Sequence, residues 1–349
     1  MNTSIPSPAP SVALLREAAT ADRAGARAEA RIAQVHALLA GDMATVDAEL
    51  TRLIREGQAP ATDSAAHLLE AGGKRVRPLT VLLSAACFGA IPPAARDLAV
   101  VAELVHLATL LHDDVIDDGN ERRGKPTSRR IWGNAVSVLA GDLLLTHALE
   151  RTASVAPPAT LGDLFATLRR LVDGEVVQLR GRTALDVREE VYFRIVHDKT
   201  ASLFAWAGRA GATIAGAPAA AVTALGDFGA HVGVAFQLVD DVLDYAGDPA
   251  ETGKALLGDL AEGKLTLPLI RAVAARPALS PDVGAARAGD RGAAGRVAEA
   301  VRASGACDAV REMARVETER ALSALGAVPE GPARELLASI AGELAARVR

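Results

Sequence analysis

Apolar residues recur every three or four positions through most of this chain, as in Met43, Val46, Leu50 and Leu53, which places them on one face of an α-helix. The pattern begins at about Gly41 and persists almost to the C-terminus. It breaks where turn chemistry breaks it: Ile91-Pro92-Pro93, Ala156-Pro157-Pro158, Gly216-Ala217-Pro218, and a long loop expected from about Pro277 to Gly292. Regularly spaced runs of alternating β-branched residues and fixed-period repeats are not found, which disfavours β-sandwiches, dinucleotide-binding α/β folds and solenoids. The expectation is an all-α, single-domain helical bundle over residues 41–349. Residues 1–40 are read as an N-terminal extension, with a Ser/Pro-rich, disordered start and an Ala/Arg/Glu-rich solvated helix after it.

Composition agrees with helix. Half of the 349 residues are hydrophobic but only 3% are aromatic, so the apolar content is dominated by Ala and other small helix formers. The length suits one large domain or two ordinary ones. A formal charge of -5, without a run of Lys or Arg, points away from nucleic acid and from anionic membrane surfaces. Cys87 and Cys307 lack a CxxC or histidine partner spacing, so neither zinc nor a disulfide framework is expected, and a reducing cytoplasm is. The start of the chain lacks a basic segment leading into an apolar one, and no stretch reaches about 18 uninterrupted apolar residues, so no stable membrane insertion is expected.

The chemistry is concentrated in two acidic clusters. Leu110-Leu111-His112-Asp113-Asp114-Val115-Ile116-Asp117-Asp118 follows a long apolar helical pattern, and on a helix Asp113, Asp114 and Asp117 lie on neighbouring positions of one face. Their mutual repulsion calls for a cation. Phe236-Gln237-Leu238-Val239-Asp240-Asp241-Val242-Leu243-Asp244 repeats the spacing, again at the end of an apolar pattern. A single DDxxD is most simply a solvated helix end. Two of them, each next to apolar turns, fit Mg2+, which takes a few carboxylate oxygens and completes its shell with water and phosphate oxygens. The spacing of an EF-hand calcium loop is not present.

Cations accompany the acids. Gly72-Gly73-Lys74-Arg75-Val76-Arg77 sets three of them after two glycines that allow close backbone approach, and Arg122-Arg123-Gly124 comes shortly after Asp117. Arginine forks could share a phosphate with carboxylate-bound magnesium. Lys199-Thr200, Lys254 and Lys264 are further candidates, although single lysines are usually surface residues. His106 lies two helical turns before Asp113 and so points toward the same place.

The segments GGKRVRP, HLATLLHDDVID, RRGKPT, DKTASLF, GVAFQLVDDVLDYAGD and EGKLTLPLI, in this order, resemble the trans-polyprenyl diphosphate synthase family, over about Gly41 to Arg349. The resemblance implies an isoprenoid-synthase-type bundle with a central substrate cavity and a prenyltransferase that joins isopentenyl diphosphate to an allylic diphosphate. It implies that Asp113, Asp117, Asp240 and Asp244, supported by Asp114 and Asp241, hold Mg2+ on the allylic diphosphate. Arg122, Lys199, Thr200, Gln237, Lys254 and Lys264 would join them, while Lys74, Arg77, His106 and Arg123 would bind isopentenyl diphosphate. A homodimer is also implied. No protein nucleophile is required.

In this family bulky residues four and five positions before the first aspartate motif limit product length; here those positions are Thr109 and Ala108, both small. A long-chain product, such as a quinone side chain of the octaprenyl type, is therefore expected. A floor at Leu143, Leu144 or Leu145 would instead stop growth at geranylgeranyl diphosphate. A class I terpene cyclase would replace the second DDxxD and would not need the isopentenyl-binding cations, and a non-catalytic subunit would be expected to lose aspartates; this chain keeps them all.

Overall fold

The structure, a computed structural model, describes residues 23–184, 186–246 and 257–346. Helices α1 (Arg23–Ile54), α2 (Ala61–Glu70), α3 (Val76–Ala86) and α4 (Pro93–Ile116) lead into a short antiparallel hairpin, β1 (Glu121–Arg122) and β2 (Lys125–Pro126). Then come α5 (Ser128–Trp132), α6 (Asn134–Val155), α7 (Pro158–Ala184), α8 (Glu189–Ile195), a π-helical turn over Val196–Ala201, α9 (Ser202–Ile214) and α10 (Ala219–Ala246). The remaining helices are α11 (Gly258–Ala261), α12 (Leu267–Ala275), α13 (Ser280–Arg287), α14 (Arg291–Ala303), α15 (Ala306–Ala324) and α16 (Pro332–Ala346). The all-α expectation holds.

Three of the four expected breaks fall between helices: α3 and α4, α6 and α7, and α9 and α10. The loop expected over Pro277–Gly292 does not form. A 3-10 turn at Pro277–Leu279 and the helix α13 occupy most of it, because Pro277 and Pro281 stand at first-turn positions, where a missing N–H costs nothing. At the other end, α1 runs through Gly41 without a break, so the helix expected in the extension and the first core helix are one element. The Ser/Pro-rich start expected to be disordered lies outside the described residues.

Contacts gather into two compact units: the described residues up to Pro158 with Ala210–Ala217 and Pro329–Ser339, and Ala159–Arg209 with Pro218–Val328 and the residues from Ile340 on. Each is built round one helix that is buried on most of its faces. In the first it is α4, which buries Leu98, Val101, Leu104, Val105, Leu107 and Leu111. In the second it is α10, which buries Leu225, Phe228, Val232, Leu238, Val239 and Val242. Each such side chain contributes about 1.5–3 kcal/mol when fully buried. By length and composition α10 could cross a bilayer, a property it shares with buried core helices.

Small residues let backbones approach around α10. A Cβ on Gly229 would lie 2.2 Å from the Phe204 carbonyl oxygen, and one on Gly233 would lie 2.6 Å from Ala201 Cα. α9 and the π-helical turn therefore pack directly on the α10 backbone.

Candidate active site

The two central helices both end in acids. α4 stops by a left-handed residue, Asp118 (φ 53), after which the Gly119 N–H bonds to the Asp114 carbonyl at 2.9 Å. Asp113, Asp114 and Asp117 thus occupy the last turn, where the helix dipole is negative and carboxylates are disfavoured. Asp240, Asp241 and Asp244 repeat this arrangement at the end of α10. Within each unit, carboxylates placed against the dipole and close to one another are disfavoured, and an opposite charge nearby relieves them.

Within each cluster the middle acid differs from its neighbours. Asp114 is 3% exposed and accepts from Arg122, at 2.9 Å from Nε and 2.8 Å from Nη2. Burial raises its pKa and Arg122 opposes the rise. Asp241 is 2% exposed and takes hydrogen bonds from Tyr192 Oη (2.7 Å), Gln237 Nε2 (2.9 Å) and the Leu267 N–H (3.2 Å). Burial pushes its pKa up to about 7, with the Asp259 charge adding to the rise and the three donors opposing it. Asp113, Asp117, Asp240 and Asp244 are all partly exposed. Asp244 Oδ1 accepts the N–H of Gly258 at 2.9 Å, the first residue of α11.

The first unit also collects the basic residues. Lys74, Arg75 and Arg77 lie in and after the glycine turn that opens α3, with Arg75 in the left-handed region (φ 51). A Cβ on Gly73 would lie 3.0 Å from Arg75 Nη1 and 3.3 Å from Arg123 Nη1, so both guanidiniums pack closely against the bare turn. Burial pulls the pKa of Arg77 down to about 10, and Glu103 opposes the fall. His106 is held well below the ordinary imidazole range, first by burial and then by Arg77, Arg123, Arg122 and Arg75. It is a neutral imidazole among cations. The Ala108 side chain is buried, while Thr109 is partly exposed and its hydroxyl donates to the His106 carbonyl at 2.8 Å.

In the second unit the π-helical turn carries Lys199 and Thr200. Such a turn inserts one residue into the helical register and commonly marks a functional position. Thr200 Oγ1 donates to Gln237 Oε1 at 3.0 Å, which joins the turn to the acidic end of α10. Lys199 pairs with Glu175 on α7, and Gly174 lets α7 come close, since a Cβ there would lie 2.9 Å from the Lys199 nitrogen. Lys264 lies 2.5 Å from Glu262 and 3.7 Å from Asp259. Lys254 falls outside the described residues.

Glu103, Glu175 and Tyr192 are not found by motif reading. Glu103 is 3% exposed and pairs with Arg75 Nη1 at 2.6 Å, a carboxylate set among cations. Its signal is a single acid in the apolar stretch 98–105 of α4. Tyr192 and Glu175 carry no comparable signal.

The sequence profile of the polyprenyl synthetase family matches residues 58–303. The chain is 35% identical over 311 residues to octaprenyl diphosphate synthase of Escherichia coli K12, spanning 88% of this chain and 96% of that one. It is 38% identical over 305 residues to an all-trans-nonaprenyl-diphosphate synthase (geranyl-diphosphate specific) of Rhodobacter capsulatus, spanning 86% and 94%. Among solved structures it is similar to a polyprenyl synthase of Caulobacter crescentus CB15 complexed with calcium and isoprenyl diphosphate, with a TM-score of 0.85, 38% identity, and 90% of this chain and 97% of that one covered.

Proposed function

The chain belongs to the polyprenyl synthetase family and is a prenyltransferase; from this we propose that it extends an allylic diphosphate with isopentenyl diphosphate to a long trans-polyprenyl chain, used as a quinone side chain. The observation that carries the reading is that both central helices end in a carboxylate cluster whose middle acid is tied to protein donors. Asp113 and Asp117 on one helix, and Asp240 and Asp244 on the other, are partly exposed carboxylates, hard oxygen ligands suited to Mg2+. Bound there, the ion would neutralise charge on the leaving diphosphate. The calcium and isoprenyl diphosphate in the similar Caulobacter structure support a divalent cation and such a substrate.

The chain's own residues supply the rest. Arg122, Lys199, Thr200, Gln237, Lys254 and Lys264 bind the allylic diphosphate and stabilise its charge as the allylic C–O bond breaks. Lys74, Arg77 and Arg123 orient isopentenyl diphosphate, and neutral His106 adds a hydrogen bond without adding charge. The isopentenyl double bond attacks the allylic cation, and loss of a proton leaves the new trans double bond. An apolar, water-free surrounding would keep the cation from being quenched.

Small side chains at Ala108 and Thr109, with the Thr109 hydroxyl tied back onto its own helix, leave these positions without bulk and support a long product. The octaprenyl and nonaprenyl relatives agree with that length. Cys87 and Cys307 are both free, which suits a reducing cytoplasm. Exposed apolar side chains on α6 and α7 support a homodimer. The domain boundary near residue 41 and catalysis by 41–349 alone belong to the same proposal.

The test is incubation of purified protein with Mg2+, farnesyl diphosphate and labelled isopentenyl diphosphate, with chain length read after dephosphorylation. Products beyond geranylgeranyl are expected. A stop at geranylgeranyl would place a floor in the cavity, and no elongation at all would sink the synthase reading.

A further inference from the structure

Tyr192 takes no part in the reaction proposed above, yet it makes the shortest of the contacts that hold Asp241. The phenol, on a side chain 5% exposed, reaches from α8 to the end of α10 and donates to Asp241 Oδ2 at 2.7 Å. The same oxygen accepts the Leu267 N–H from the start of α12 at 3.2 Å. The other carboxylate oxygen accepts from Gln237 Nε2, and Gln237 in turn accepts from Thr200 in the π-helical turn. Three elements therefore fix one carboxylate that is closed to solvent. Burial and the neighbouring Asp241 hold the Tyr192 hydroxyl well above its ordinary range, so it stays protonated and remains a donor.

Asp241 lies between Asp240 and Asp244 on one helical turn. Successive residues differ by about 100° round a helix axis, so a carboxylate clamped at Asp241 sets the rotation of that turn and the directions in which its neighbours point. We propose that Tyr192 is a positioning residue for the metal-diphosphate site: by clamping Asp241 as a strut, it aims Asp240 and Asp244 as ligands. The inference rests on the reading of Asp240 and Asp244 as metal ligands given above. It assigns Asp241 a structural task distinct from theirs.

The experiment is Mn2+ binding to the full chain in the presence of inorganic pyrophosphate, read by electron paramagnetic resonance, together with thermal unfolding. Tyr192→Phe keeps the ring and removes only the donor. It is expected to weaken Mn2+ binding about 10-fold, the range found when a group supporting a metal ligand is removed, and to raise the Mg2+ concentration for half-maximal turnover in parallel, while kcat at saturating Mg2+ stays within about threefold. Unchanged metal affinity in folded Tyr192→Phe would overturn the proposal. Should that variant not fold, Asp241→Asn and Asp240→Asn decide. An asparagine at 241 still accepts from Tyr192 and Leu267, and a flipped Gln237 amide accommodates its NH2 group, so it is expected to keep Mn2+ binding within about threefold while Asp240→Asn loses at least about 30-fold. Equal losses would make Asp241 a ligand and end the strut reading. If the wild-type chain binds no Mn2+ with pyrophosphate, the ligand assignment itself fails, an outcome distinct from a Tyr192→Phe variant that binds as well as wild type.

Discussion

Glu103 shows what a single buried charge does in this chain. Its carboxylate and the Arg75 guanidinium are 4% and 9% exposed and 2.6 Å apart, with Asp47 at 3.4 Å from Arg75 Nε as a weaker second partner. Removing one member of a buried pair leaves the other desolvated and uncompensated, at a cost of about 3–5 kcal/mol. Glu103→Gln is accordingly expected to lower unfolding free energy by about 3 kcal/mol in urea titration. A loss below about 0.5 kcal/mol would mean that the pair behaves as a solvated surface bridge. Arg75 stands in the middle of a motif whose other cations face substrate in the proposed reading, so its task is not legible from the motif. Spacing identifies which residues share a helix turn. It does not say which of them turn inward, and for that reason Asp114 and Asp241 look equivalent to their neighbours in the sequence while the structure buries them.

At the scale of elements, periodicity carries most of the fold, since α4 and α10 are long apolar segments that end at turn chemistry. The exceptions have local causes. Pro277 and Pro281 look like loop formers but start helical turns, and the two-residue strands of the hairpin are too short to show alternation. Glycines in helix interiors are also silent, because sequence does not separate a tolerated glycine from a required one. Gly229 on α10 is required: the added methyl group of Gly229→Ala would meet the Phe204 carbonyl oxygen at 2.2 Å. Overpacking against a backbone atom is expected to cost about 1–3 kcal/mol. Gly295 in α14 has open space around it, with nothing within 4 Å of an added Cβ, so Gly295→Ala should stabilise by about 0.5–1 kcal/mol. Thermal unfolding of the two variants should move in opposite directions, and parallel shifts would contradict the close helix approach at Gly229.

At the scale of the whole molecule, the unsatisfied feature is apolar surface. On α7, Phe165, Val172, Val176 and Leu179 are exposed at 51%, 62%, 42% and 38%, and the last three recur at helical spacing. On α6, Val138 and Leu139 are exposed at 39% and 60%. Scattered apolar residues need no explanation, but a stripe along one helix does, because water penalises a contiguous apolar face. A second copy of the chain is the occupant proposed here, and a stable dimer interface buries about 1,200–2,000 Å² in total. Charge placed on the stripe should then separate the subunits without harming either core. Val172→Glu with Val176→Glu is expected to convert a dimer to a monomer in sedimentation velocity, with helical circular dichroism retained, since both side chains lie outside the buried set of α7. A wild-type chain that sediments as a monomer would remove the homodimer. A double variant that remains dimeric would move the interface away from α7 and leave its apolar stripe to be explained by another partner.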